Sequence, residues 1–129
     1  MKKWHWFFIV SSFLIACKKD TTPVSTDFRD AWVGRYIGNV HQIYWTLNNT
    51  GNIDTIYPDT FFVSKPASAD SIIVDGNTYP ITPAGTYYFT YSSPGNFIDL
   101  RLTADSCYLN QRSGGLGGYF QTIQSGKKQ

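Results

Sequence analysis

Along this chain apolar and polar positions alternate, with no apolar pattern at helical spacing longer than a turn or two, and turn residues break the pattern at short intervals. The cleanest alternation, Phe97-Ile98-Asp99-Leu100-Arg101-Leu102, puts Ile98, Leu100 and Leu102 on a core face and Asp99 and Arg101 in water. Asp70-Ser71-Ile72-Ile73-Val74 and Thr78-Tyr79-Pro80-Ile81 flank Asp75-Gly76-Asn77, a hairpin signal because Gly76 supplies the positive φ that a tight turn demands. Further strands are expected at 35–47 and 55–65 around the loop Asn48-Asn49-Thr50-Gly51-Asn52, at 87–91, and at 107–112 and 119–125 around a flexible glycine-rich hairpin, 113–118. The segment 26–32 is expected to form one short turn of helix capped by Thr26. Pro58 and Pro80 fall inside strand candidates, where the missing N–H assigns them to an edge, a strand end or a bulge.

Seven or eight short strands on short loops predict an all-β domain over residues 26–129: a small antiparallel up-and-down sheet, closed as a β-barrel or nearly closed as a sandwich. Composition agrees. Every acid is Asp and none is Glu, charged residues are 16% of the 129, and aromatics reach 17%. Rings and Thr suit a pleated, half-buried surface and leave an all-α fold without material.

The first residues read as an address. Met1-Lys2-Lys3 is basic, Trp4 to Phe13 is largely apolar, and Leu14-Ile15-Ala16-Cys17 ends the run, the pattern of a secretory signal. Ten or so residues rise only about 15 Å as a helix, half the hydrocarbon thickness, which disfavours a permanent span. An uncleaved anchor and an ordinary signal peptide are the alternatives. Residues 18–25 are polar and contain Pro23, a flexible tether.

Leu14-Ile15-Ala16-Cys17 resembles the lipobox of bacterial lipoproteins. The resemblance implies that residues 1–16 are a signal peptide removed after Ala16, and that Cys17 is the lipid attachment site, carrying acyl chains such as palmitate. The residue types fit: an ionised thiol is a strong nucleophile, and small Ala16 leaves the bond open to a peptidase. Each buried methylene contributes about 0.8 kcal/mol, so two or three chains on one cysteine form a lasting anchor. Lys18 at the next position, where the best-known sorting rule reads Asp as inner-membrane retention, implies an outer-membrane location. Cys17-Lys18-Lys19-Asp20 is similar to the start of many Bacteroidota lipoproteins, among which surface display also occurs.

Trp32-Val33-Gly34-Arg35-Tyr36-Ile37-Gly38 and the ending from Tyr119-Phe120 to Gly126-Lys127-Lys128 resemble the first and last strands of small lipocalin-like lipoproteins. Lipocalins carry Gly-x-Trp at that entry; here it is Gly34-Arg35-Tyr36. The resemblance implies a barrel whose base is plugged by Trp32 or Tyr36.

Loss of the leader alters the charge. The eleven basic side chains less Lys2 and Lys3 equal the nine Asp, a formal balance of zero, so no positive field remains for nucleic acid. Cys17 committed to lipid leaves Cys107 without an intrachain partner, a buried inert thiol on a strand. His41 is then the one remaining histidine, which excludes two-histidine metal sites and reads as a strand-face residue without a catalytic role. The Asp residues are scattered singly at loops and outward positions, and Ser113-Gly114-Gly115-Leu116-Gly117-Gly118 lacks the Lys-Ser/Thr ending of a phosphate loop. No catalytic set, metal site or cofactor is expected. The aromatic excess remains: Tyr44, Trp45, Tyr57, Phe61, Phe62, Tyr87, Tyr88, Phe89 and Tyr91 exceed what one core face needs, so some must line a cavity, coat the outside or meet a partner. The expected function is a non-enzymatic outer-membrane lipoprotein that binds a small apolar ligand or joins an envelope assembly. The alternative is a surface module that recognises a glycan or an envelope protein through exposed aromatics.

Overall fold

A computed structural model describes residues 26–93 and 95–129. The expected leader, Cys17 and tether lie outside the described residues. Eight antiparallel strands follow a short 3₁₀ turn, Phe28–Ala31: β1 (Gly34–Thr46), β2 (Ile53–Ser64), β3 (Ser71–Val74), β4 (Asn77–Pro80), β5 (Thr86–Thr90), β6 (Phe97–Leu102), β7 (Ser106–Gly115) and β8 (Gly118–Lys128). They form one sheet in the order β4-β3-β2-β1-β8-β7-β6-β5, curled into a nearly closed barrel. Every chain neighbour is a sheet neighbour except β4 and β5. There the chain turns through 81–85 instead of pairing, held by Thr82 N–H donating to the Thr86 carbonyl at 3.2 Å and Gly85 N–H to the Thr82 carbonyl at 2.8 Å.

Alternation sets the two faces. Tyr36 pairs with Phe61 across β1 and β2, and Leu100 with Leu109 across β6 and β7; all four point inward and are buried. The same parity continues the inner face through Ile72, Val74, Leu102 and Cys107, which pack with Trp32 into one core. Each large apolar side chain removed from water here contributes about 1.5–3 kcal/mol. The core fills one end only. β1, β2, β7 and β8 are 13, 12, 10 and 11 residues long while β3 to β6 are 4, 4, 5 and 6, so the long strands run on past the short ones and leave the other end open.

The 3₁₀ turn fastens the closed end. Its N-cap is Asp27, not Thr26, because the Asp27 side chain accepts from Arg29 N–H at 2.9 Å. Arg29 is 5% exposed yet fully engaged: Nη2 pairs with Asp27 at 2.7 Å, and Nη1 donates to the carbonyls of Ser68 and Ser71. Trp32 and Tyr36 share the plug, the Tyr36 hydroxyl donating to the Trp32 carbonyl at 2.7 Å while its ring stacks on Phe61 at 5.6 Å between centroids. Burial pushes the Tyr36 phenol up to about 12.

Two turns differ in kind. Asp75 and Gly76 both take positive φ, 48° and 81°, the requirement of a two-residue hairpin whose twist matches its strands. The run 113–118, expected as a flexible hairpin, instead extends both strands and turns over Leu116 and Gly117 alone, with Leu47 N–H bonded to the Gly117 carbonyl at 3.1 Å. Pro58 lies in β2 above the stretch that pairs with β3, which begins at Val63, so it faces an open edge; Pro80 ends the edge strand β4. Among the described residues no helix is long and apolar enough to cross a membrane.

Candidate functional site

Beyond Tyr36 and Phe61 the inward face changes character. Along β2 the parity that buries Val63 and Phe61 also turns Asp59 and Tyr57 inward; along β7 Cys107 and Leu109 are followed by Gln111; along β8 come Gln124, Thr122 and Phe120. These side chains and the β3–β4 hairpin enclose a cleft of about 300 Å³, floored by Val40, Val74 and Leu109 and walled by Gln42, Tyr57, Asp59, Asp75, Asn77 and Tyr79 with Gln111, Thr122 and Gln124. A second hollow of about 410 Å³ shares Gln111 and Thr122 with it and opens past Ile98, Phe120 and Tyr91. Together they form a channel from the top of the core to the barrel mouth, each part toward the lower end of the size range of small-molecule sites.

Hydrogen bonds fix the deep wall. Gln124, 5% exposed, donates from Nε2 to Asp59 Oδ2 at 3.0 Å across the intervening β1. Gln111 Nε2 donates to the Tyr79 hydroxyl, tying β7 to β4 across the barrel, and burial raises the Tyr79 phenol above its usual range. No Lys or Arg lines the deep cleft. Asp59 corrects the expectation that the Asp residues sit at loops and outward positions: strand parity carries it inside, and Gln124 supplies the partner it needs there.

The other sequence candidates are dispersed. His41 lies on the outer face of β1 with Nε2 2.6 Å from Asp54 Oδ1, away from the cleft. Cys107 is 1% exposed in the core, and burial pushes its thiol up to about 12, so it carries no thiolate at neutral pH. Among the described residues no group of three His, Cys, Asp or Glu converges as a metal site. The aromatic excess divides: Phe61 joins the core, Tyr87 packs against it and stacks on Phe89 at 6.4 Å, Tyr57 and Tyr91 line the channel, and Tyr44 borders a shallower hollow beside Phe120. Trp45, Phe62 and Tyr88 face outward and are exposed. On that outer face Trp45 stacks on Tyr119 (6.0 Å), the Arg112 guanidinium covers Tyr119 (3.9 Å), and Phe97, the ladder partner of Arg112, stacks on Tyr88 (6.5 Å). Five strands thus carry one lateral row of π surfaces.

Asp59, Gln111 and Gln124 form no sequence motif. The available signal was parity: any residue two or four positions beyond an inward core residue of a long strand shares its face. No protein-family model matches this chain, and neither a curated protein nor a solved structure matches it.

Proposed function

We propose that this chain is a non-enzymatic lipoprotein, anchored in an outer membrane through Cys17, whose barrel holds a small ligand in its open half. The observation that supports ligand carriage is the asymmetry of the barrel: a core that seals one end and a channel of buried polar groups and rings entered from the other. The cleft's polar lining favours a ligand with hydrogen-bonding groups over a wholly apolar one. The described chain begins at the closed end, where Arg29 is clamped, so a tether from Cys17 joins the barrel there and not at the mouth.

Two experiments test the two halves of this reading. Metabolic labelling with a fatty acid is expected in the natural protein and lost in Cys17→Ala; equal labelling overturns the anchor. Native mass spectrometry of protein taken from its own cells is expected to show a bound small molecule that Gln124→Leu reduces, and a bare protein overturns carriage.

The outer row Trp45, Tyr119, Arg112, Phe97 and Tyr88 favours a second reading, a surface that stacks against a glycan or an envelope protein. Trp45→Ala separates the two, since it leaves the cleft intact and is expected to weaken only surface binding.

A further inference from the structure

The hydrogen bonds inside the cleft consume donors and leave acceptors. Asp59 only accepts, so Gln124 must present its amide NH₂ to it, and this orientation turns the Gln124 carbonyl oxygen elsewhere. Among the described residues no donor reaches that oxygen or Asp59 Oδ1, although Gln124 is 95% buried by its 5% exposure. No buried side-chain polar atom of the described residues lacks a partner, so these two acceptors, on residues that line the cleft, keep contact with solvent space. Asp75 adds a second carboxylate at its edge, and no Lys or Arg lines it. Arg112 lines the adjoining hollow, its guanidinium 3.9 Å from the Tyr119 ring, and not the cleft itself. Arg29, Lys65, Arg101 and Lys127 are paired with Asp27, Asp30, Asp99 and Asp105, and Lys128 donates to the Ala31 carbonyl at 2.8 Å.

We infer that the cleft recognises a small amine-bearing polyol, an amino sugar or a molecule of like size, with its ammonium between Asp59 Oδ1 and the Gln124 carbonyl. This rests on the reading of the barrel as a ligand carrier and names the ligand's chemistry. An ammonium brings three N–H donors to a wall of open acceptors, and hydrogen bonds between ionised groups are roughly twice as strong as neutral ones. Inside the cleft an anionic ligand meets Asp59 with no cation among the lining residues to offset it. An apolar ligand strands the Gln124 and Asp59 oxygens without water or donor, the costliest outcome for a buried acceptor. Hydroxyls of the ligand find Thr122, Gln42 and the Tyr57 phenol, while Val40, Val74 and Leu109 lie under its carbons.

The test uses three hexoses of one shape that differ in charge: D-glucosamine, D-glucose and D-glucuronate, titrated into the purified ¹⁵N-labelled protein. Amide shifts are expected at Asp59, Thr122 and Gln124, with affinity falling from the amine to the neutral sugar to the acid. In Asp59→Asn, which keeps an acceptor for Gln124, affinity for glucosamine is expected to drop about tenfold, the value of one charge-assisted hydrogen bond, and glucose affinity to change little. Three outcomes overturn the proposal: glucuronate binding as well as glucosamine, an Asp59→Asn protein that keeps the amine preference, or no shift in the cleft with any of the three. None of these disturbs the carrier reading, which stands or falls on the molecule found by native mass spectrometry.

Discussion

Tyr36 and Phe61 stack at the closed end with no exposed surface, while Phe120 and Tyr57, on the same inner face of the same sheet, stand 43% and 38% in solvent at the mouth. The strands, the pleat and the pairing are alike at both ends. What differs is the company. At the closed end the short strands β3 to β6 and the Arg29 clamp complete the enclosure, so large rings find partners on every side. Toward the mouth β3 and β4 stop, β2 loses its second neighbour beyond Val63, and the inner face meets a channel instead of a core. One end therefore carries the stability and the other is free to carry a site. Changes at the two ends should separate cleanly into folding effects and binding effects.

The severest way to break this division is at Gly38, where β1 pairs with β8 opposite Gly126. A Cβ there would lie 1.8 Å from the Ser125 carbonyl oxygen, which a strand pairing cannot absorb. Gly38→Ala is expected to abolish the cooperative urea transition and the near-ultraviolet dichroism of the folded rings. Next comes a matched pair of truncations: Phe61→Ala at the closed end should cost about 3–5 kcal/mol and Phe120→Ala at the mouth under about 1 kcal/mol, both read by urea denaturation. Equal costs would show that the mouth is part of the core after all.

A smaller effect sharpens the comparison inside the site. Gln124→Leu leaves the Asp59 carboxylate without its donor and is expected to cost about 1–3 kcal/mol. Adding Asp59→Leu should recover most of it, since two apolar residues replace a satisfied polar pair at little net cost. A double variant no better than the single one would place the loss in packing instead of polarity.

The smallest effect belongs to the clamp and depends on pH. Hydrogen bonds from Arg29 hold the Asp27 carboxyl well below its ordinary 3.8. A folded-state value below the unfolded one stabilises the protein above pH 3.8, and that stabilisation drains away as pH falls through the lower, folded value. Thermal melting from about pH 6 down to about pH 2 should therefore find Asp27→Asn less stable than the natural chain at the top of the range, with the gap narrowing below pH 3.8 and not yet closed at the bottom. The gap is expected to be modest because Asp27 keeps 27% of its side-chain surface in water, where solvent screens the pair. A constant gap at all pH values would assign Asp27 a purely steric role.

Much of the architecture is legible in the order of residues. The alternation of Phe97 to Leu102 and the Asp75-Gly76 turn predict strands that the fold contains, Phe97–Leu102 with identical limits, because period and turn chemistry are properties of adjacent residues. The helix cap illustrates the limit: Thr26 and Asp27 are both good caps, and only the position of Arg29 against the 68–71 carbonyls selects Asp27. The glycine-rich run shows a second limit, since its register depends on β1 lying beside it to receive the Leu47 bond.

What sequence alone determined here is an up-and-down all-β design of seven or eight strands and, for Phe97–Leu102, the side that faces inward, since pleat and turn geometry act over two to four residues. Which inward positions became core and which became cleft was decided only in three dimensions. Asp59 and Phe61 share a strand, a face and two residues of separation; their fates diverge because Gln124 arrives from β8 to bond one, and Tyr36 from β1 to cover the other. Partners that lie 65 positions apart in the chain leave no trace in a local pattern, and they make the difference between a stabilising ring and a binding carboxylate.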